Sequence, residues 1–359
     1  MVPNPTVDQV WRRWEARFMG AGMDYNVLLR FKAQIHDWDD WCKVWSSEAA
    51  DREAFGDEAM SRGHMLTAAE AWSAAALMYH FGGMYYICDM DQFHQAHKKK
   101  LAAYAKASSL LQPAAERIEV PFEGTRLAGY LRRPVDTVRP PVVIIYNGFE
   151  GVKEESERRT GELLSRGLAT LTWDGPGRGE SWEHLAMTGN YGPATKALID
   201  YLETRSDVDA SRIGVTGPNR GAFLAAKSAA YDNRIKALAA TSAGYDRRGT
   251  DWEDPYQVAF DLHIFHLDRI EDLRERVNQL DLSMEGDAEK ITCPVLVIAG
   301  GRDEKSHFSG SQRFFDEVRG RKEWVVFPDG ERNGNNVPFK VRPRTADFLA
   351  DSLINPKTG

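Results

Sequence analysis

Cysteine is scarce in this chain: Cys42, Cys88 and Cys293 are the three present. An odd number, far apart and with no C-x-x-C pair, excludes a disulfide framework and a cysteine zinc site. No apolar run is long enough to span a bilayer, and the start, MVPNPTVDQVWRRW, lacks the apolar stretch of a secretory signal. A cytoplasmic protein with no membrane partner is therefore expected. Basic stripes are also missing. The 46 Lys and Arg against 53 Asp and Glu give a formal net charge of -7, which argues against nucleic acid as a partner. Lys98-Lys99-Lys100 is a short cluster that reads as a solvated face. There is no G-K-[ST] phosphate loop and no dinucleotide fingerprint, and a cofactor-independent protein is expected. Internal repeats and low-complexity segments do not occur.

What is present is length and apolar content. The 359 residues, 42% hydrophobic and 11% aromatic, can bury a large core and suggest one sizeable α/β domain with an accessory region. Residues 1–116 read as helical, with an Ala-rich stretch from Ala68 to Tyr79 and dense aromatics such as Trp11, Trp14, Phe18, Trp41, Trp45 and Trp72. Helix-helix packing accounts for most of these rings. Those around Gly82-Gly83-Met84-Tyr85-Tyr86 are candidates for lining a pocket, with Tyr85 and Tyr86 as substrate contacts.

From residue 117 the pattern changes, and residues 117–359 read as a doubly wound, mostly parallel α/β sheet. Pro141 to Tyr146, Ala169 to Trp173, Ile213 to Thr216, Ala237 to Ala240, Val295 to Ala299 and Trp324 to Phe327 are short apolar runs of the kind a buried parallel strand requires. Helical stretches at 155–166, 193–203 and 222–230 separate them. Arg117 to Val120 and Leu127 to Arg133, joined through Glu123-Gly124, predict an edge hairpin, and 245–291 a helical insertion.

Gly217-Pro218-Asn219-Arg220-Gly221 lies between a strand and a helix, the setting of the G-x-S-x-G nucleophile elbow. Asn219 stands at the central position, and an amide cannot be activated by a neighbouring base as serine is. Tyr146-Asn147-Gly148-Phe149-Glu150-Gly151 follows a strand where hydrolases of this architecture place an oxyanion loop. Asp174-Gly175-Pro176-Gly177-Arg178-Gly179 reads as a Gly-rich turn holding sheet to helix. His94-x-x-His97, near Asp89 and Asp91, and His263-x-x-His266 lack a third ligand, so no metal is expected. His307, four residues beyond Asp303, is a candidate base whose neighbours suggest a surface loop, and His64 and His80 read as packed or hydrogen-bonded.

On these motifs the chain resembles the α/β-hydrolase superfamily, in particular the branch with an N-terminal helical region that contains 2,6-dihydroxypseudooxynicotine hydrolase and the fungal polyketide-shortening pigment hydrolases. The resemblance runs from the Ala-rich helix to the end of the chain. It implies that Asp303, in Gly300-Gly301-Arg302-Asp303, is the triad acid. It implies that the loop Pro328 to Asn336 is the one carrying the histidine, with Arg332 in its place. It also matches Glu150 to an active-site glutamate of the nicotine-pathway relative.

Two of three triad positions are thus changed. Arginine stays protonated and cannot act as a base, but it can pair with a carboxylate, so an Asp303–Arg332 ion pair beneath Asn219 is expected. The N–H groups of Phe149 and Arg220 are expected at an oxyanion hole. Glu150, its pKa raised by burial, is a candidate general base or acid, and Tyr146 a further substrate contact. Three functions stay open: a non-hydrolytic enzyme acting on a hydrophobic aromatic or polyketide-like small molecule, a binding protein without turnover, and a hydrolase in which Glu150 or His307 activates water. Self-association as a homodimer is compatible with each.

Overall fold

Helix-forming sequence and strong N-caps set out the first part of the chain. In a computed structural model, which describes residues 6–84, 89–148, 150–246, 252, 255–279 and 283–355, five helices come first: α1 (Val7–Ala21), α2 (Tyr25–Gln34), α3 (Trp38–Ser61), α4 (Met65–Met84) and α5 (Met90–Ser108). Thr6 and Gln9 form a reciprocal capping box at α1, and the Asp37 and Asp89 side chains accept N–H groups at the starts of α3 and α5. The aromatic residues pack among these helices. Phe18, Phe31, Trp41, Trp45 and Phe81 are almost wholly buried, with ring centroids 4.6–6.2 Å apart in the close pairs. The Trp41 indole donates to the Phe81 carbonyl at 3.0 Å. Gly82 lets α4 approach Trp45 of α3, since a Cβ there would lie 2.8 Å from that of Trp45.

Eight strands then form one sheet among the described residues. They are β1 (Ala115–Phe122), β2 (Thr125–Arg132), β3 (Pro141–Ile145), β4 (Ala169–Trp173), β5 (Asp209–Pro218), β6 (Ile235–Thr241), β7 (Val295–Gly300) and β8 (Lys322–Phe327). Their order is β1-β2-β4-β3-β5-β6-β7-β8. β2 meets β4 antiparallel, and every pairing from β4 to β8 is parallel. β3, β4 and β7 are buried at every position, as central strands covered on both faces must be. Glu123 and Gly124 both have positive φ, the demand of a two-residue type I′ hairpin, and they join β1 to β2 at the sheet edge.

The connecting helices are α6 (Glu157–Leu164), α7 (Gly192–Glu203), α8 (Arg220–Tyr231), α9 (Pro255–Phe265), α10 (Ile270–Gln279), α11 (Lys305–Glu317) and α12 (Pro338–Leu353). α6 and α12 pack on one face of the sheet through Leu163, Phe348, Leu349 and Leu353. Because β4 and β5 flank β3 on opposite sides, the chain reverses direction across the sheet between β3 and β5. That switch point is where open α/β sheets leave a crevice at their carboxyl ends.

The chain divides into two compact units, Met1–Arg117 with Asp251–His263, and Ile118–Thr250 with Ile264–Gly359. The helical segment expected at 245–291 is split between them. The lysine cluster departs from a solvated face: Lys98 and Lys99 are exposed, but Lys100 is buried, its ammonium 3.3 Å from His97 Nδ1. A helix turns by about 100° per residue, so three consecutive lysines cannot share one solvent side. Among the described residues no helix is long and apolar enough to cross a membrane.

The Gly82 contact gives a direct test. Gly82→Ala should destabilise the protein by about 1–3 kcal/mol through overpacking against Trp45, whereas Gly63→Ala, which meets no atom within 4 Å, should show only the smaller penalty of its positive φ, about 1 kcal/mol. Denaturant unfolding of the two variants compares them.

Candidate active site at the carboxyl ends of the strands

β5 runs into α8 through Asn219, whose backbone has φ 49° and ψ -115°, a conformation ordinary side chains avoid. Two glycines make the turn possible. A Cβ on Gly217 would lie 2.6 Å from the Tyr146 carbonyl oxygen, and one on Gly221 would lie 2.6 Å and 2.7 Å from the carbonyl oxygens of Tyr146 and Asn147. The elbow is therefore pressed against the loop that follows β3. The Asn219 N–H donates to the Thr241 carbonyl at 2.8 Å and its own carbonyl accepts from Phe223 N–H at 3.0 Å, which fixes the turn from both sides.

Thr241 is the last residue of β6, and its successor Ser242 joins two further loops. Ser242 is fully buried at φ 50°. Its hydroxyl donates to Asp303 Oδ2 at 3.0 Å and accepts the N–H of Asn333 at 3.0 Å. The elbow, the acid loop after β7 and the loop after β8 thus meet at the dipeptide Thr241-Ser242. This convergence brings Asn219, Asp303 and Arg332 to one end of the sheet. Ser242 was not a sequence-level candidate, and no motif marks it; only the pairing of β6 between β5 and β7 gives it this place.

Asp303 has its side chain almost fully buried, at 2% exposure. Oδ1 accepts the Glu304 N–H at 2.8 Å, and His307 Nδ1 lies 3.7 Å away. Burial raises the Asp303 pKa above the ordinary aspartate value, against the Ser242 hydroxyl, the Glu304 N–H and the charge of Arg332, which act the other way. The expected Asp303–Arg332 ion pair does not form. Asp303 is engaged by Ser242 and Glu304 N–H, and the Arg332 guanidinium instead lies 3.8 Å from Glu304, with its side chain 29% exposed. His307 is on the first turn of α11 and half-buried, not in a surface loop, with Nδ1 also 3.4 Å from Glu304.

The loop after β3 carries Glu150, which is half-buried. Asn147 staples this loop, donating to the Val152 carbonyl at 2.8 Å and accepting from the Ser156 hydroxyl at 3.0 Å. Tyr146 is a buried anchor. Its hydroxyl is 2.5 Å from Thr195 Oγ1 and donates to Ser228 Oγ at 3.2 Å, its ring meets Trp173 edge-on, and burial keeps the phenol neutral. Its hydroxyl is thereby committed to the protein rather than to a ligand. Phe149, Tyr85 and Tyr86 lie outside the described residues.

The turn Asp174–Gly179 folds about its own carboxylate, as its Gly-rich sequence suggests. Lys153 is wholly buried, with its ammonium 2.7 Å from Asp174, 2.7 Å from Glu154 and 2.5 Å from Glu180. Burial opposes its charge, but the three carboxylates hold its pKa above that of an ordinary lysine. Glu154, Asp174 and Glu180 have metal-like spacing, and this ammonium sits among them as their cation. The histidine pairs are otherwise engaged: His263 meets Phe93 edge-on and His266 Nε2 is 2.7 Å from the Trp182 carbonyl.

A mostly parallel sheet with this elbow after β5 and an acid after β7 defines the α/β-hydrolase architecture. The chain belongs to that superfamily: residues 27–247 match the family described as Esterase FrsA-like, and residues 161–344 the prolyl oligopeptidase family. It is 32% identical over 322 residues to 2,6-dihydropseudooxynicotine hydrolase of Paenarthrobacter nicotinovorans, covering 88% of this chain and 86% of that protein. Hydrolyase poxO of Penicillium oxalicum is 30% identical over 240 residues, 62% of this chain and 56% of the fungal protein, so the chain spans a little over half of that relative's length. The crystal structure of 2,6-dihydroxy-pseudo-oxynicotine hydrolase aligns with a TM-score of 0.85 at 29% identity, over 95% of this chain and 96% of the other.

Two substitutions test the Ser242 junction. Ser242→Ala takes the hydroxyl partner from Asp303 Oδ2 and from the Asn333 N–H and should cost about 1–3 kcal/mol in denaturant unfolding. Because the folded pKa of Asp303 lies above that of the unfolded chain, folding takes up a proton between those two values. Its contribution to stability falls as pH rises through that window, and the deficit is complete above the folded pKa. Asp303→Asn should therefore be at least as stable as wild type at pH 7, with its advantage shrinking as the solution is acidified into that window.

Proposed function

We propose that this protein is an α/β-hydrolase-fold enzyme that does not form an acyl-enzyme. In this reading it stabilises an enolate or phenolate at the elbow while Glu150 moves a proton, in a cyclisation, dehydration, isomerisation or C–C bond reaction. The observation that carries the reading is Asn219: the strained elbow is built in full, at φ 49°, around a side chain that cannot be a nucleophile. Nor does Arg332 supply a base in place of histidine.

Chemistry that needs no nucleophile remains available. Arg220 is the first residue of α8, and the first N–H groups of a helix point along its axis toward an anion at its end. An oxyanion developing there would be stabilised by fixed donors, with the Asn219 amide as a further donor. Glu150, from the loop pressed against the elbow, is the group of suitable chemistry to carry a proton. The substrate class, a hydrophobic aromatic or polyketide-like small molecule, follows the pseudooxynicotine named for the bacterial relative. Asp303 and Arg332 hold charge at the site rather than relay protons.

The test is turnover of a panel of aromatic and β-diketone compounds by wild type, Glu150→Gln and Asn219→Ala. Loss of an acid–base group should lower kcat about 10²- to 10⁴-fold in Glu150→Gln, with a loss of about tenfold in Asn219→Ala. Binding without transformation, unchanged by either variant, would instead identify a ligand-binding protein. Reaction in isotopically labelled water separates hydrolysis, which must place solvent oxygen in the product, from the proposed chemistry. The double variant Asn219→Ser with Arg332→His should gain p-nitrophenyl ester hydrolysis over wild type, since the elbow and acid are in place; no gain would count against these positional assignments.

A further inference from the structure

The Gly-rich turn after β4 grips the loop after β3 at both ends, and Glu150 lies between the grips. At one end, the Arg178 guanidinium, itself 6% exposed, donates from Nη1 to the Gly148 carbonyl. At the other, Asp174 accepts the Lys153 N–H at 2.9 Å and the Lys153 ammonium at 2.7 Å. The turn is rigid in its own right. Asp174 also accepts the Glu180 N–H at 3.1 Å, Arg178 N–H donates to the Gly175 carbonyl at 3.0 Å, and the Ser181 hydroxyl donates to the Asp174 carbonyl at 2.6 Å. Gly179, at φ 43°, lets the chain close over that carboxylate, where a Cβ would lie 2.1 Å from Oδ2.

The space beneath the gripped loop is not filled by side chains. A small cavity there is lined by Asn147, Gly151, Gly175, Arg178, Trp173 and Tyr191. The loop is held by the burial of Val152, Lys153 and Glu154 and by the hydrogen bonds at its two ends. We infer that Arg178 is a positioning residue, whose guanidinium fixes the Gly148 peptide and with it the placement of Glu150 and the anion-binding side of the site. This rests on the function proposed above, because the group being positioned is the proton carrier of that reading. Arginine suits the task better than lysine: its planar fork presents several N–H donors in fixed directions and stays charged when buried.

Two measurements on the full chain, for wild type, Arg178→Gln and Arg178→Lys, test the inference. The first is amide hydrogen exchange by mass spectrometry. Arg178→Gln should speed exchange in residues 146–153 about tenfold, the loss of one charge-assisted hydrogen bond, while β6 and β7 keep wild-type rates. Arg178→Lys, with charge kept and the fork lost, should show about a threefold rise in the same segment, and it carries the test if the glutamine variant does not fold. Unchanged exchange at 146–153, or an equal rise throughout the sheet, overturns the positioning role. The second is binding of p-nitrophenolate, followed by its absorbance. Affinity should fall about tenfold in Arg178→Gln; equal affinity in wild type and variant also overturns the role. If wild type fails to bind the anion while exchange responds as expected, the oxyanion reading falls and the positioning of the loop stands.

Discussion

The close approach of the β5–α8 turn to the loop after β3 is the constraint on which the site depends. With the Tyr146 carbonyl 2.6 Å from where a side chain at 217 or 221 would begin, only glycine fits at either position. That closeness in turn leaves Asn219 no choice but the left-handed region. Strain of this kind persists where the surroundings over-determine it, and here Thr241 and Phe223 bind the strained peptide from both sides. The side chain presented is an amide, so the geometry that ordinarily aims a nucleophile aims a hydrogen-bonding group.

The Asp303 carboxylate is held by a hydroxyl and a backbone N–H. The Ser242 hydroxyl gives to Asp303 and receives from Asn333, so two loops that a triad would link through histidine are linked through a neutral side chain. The positive charge of Arg332 sits one residue outward, against Glu304. A buried carboxylate with neutral partners on both oxygens is an acid whose ionisation is resisted by its surroundings.

Much of this was legible in the sequence, and the physical reason differs by element. β3, β4 and β7 could be read because a strand buried on both faces must be continuously apolar. The elbow could be read because its glycines are close in sequence and sit between a strand and a helix. The Asp303–Arg332 pair was misread because charge complementarity was considered without Ser242, which intervenes only when β6 lies beside β7. Nothing in the sequence marks Lys153 and Arg178 as buried; their burial depends on carboxylates and carbonyls supplied by other segments. Tyr146 is a candidate ligand contact in the sequence, where nothing shows that Thr195 and Ser228, far along the chain, take up its hydroxyl. Local pattern reports what must be apolar, whereas the partners of polar groups are set by topology.

The division of the chain has a consequence for synthesis. The helical unit is discontinuous, with Asp251–His263 returning to Met1–Arg117 after the chain has left it. By the time that segment emerges from a ribosome, β1 to β6 have already been made. The unit cannot be completed as its first helices appear. Its last segment is added only after six of the sheet's eight strands have been made. Domains that are contiguous in sequence fold as they are translated, but this unit's completion is tied to the progress of the other.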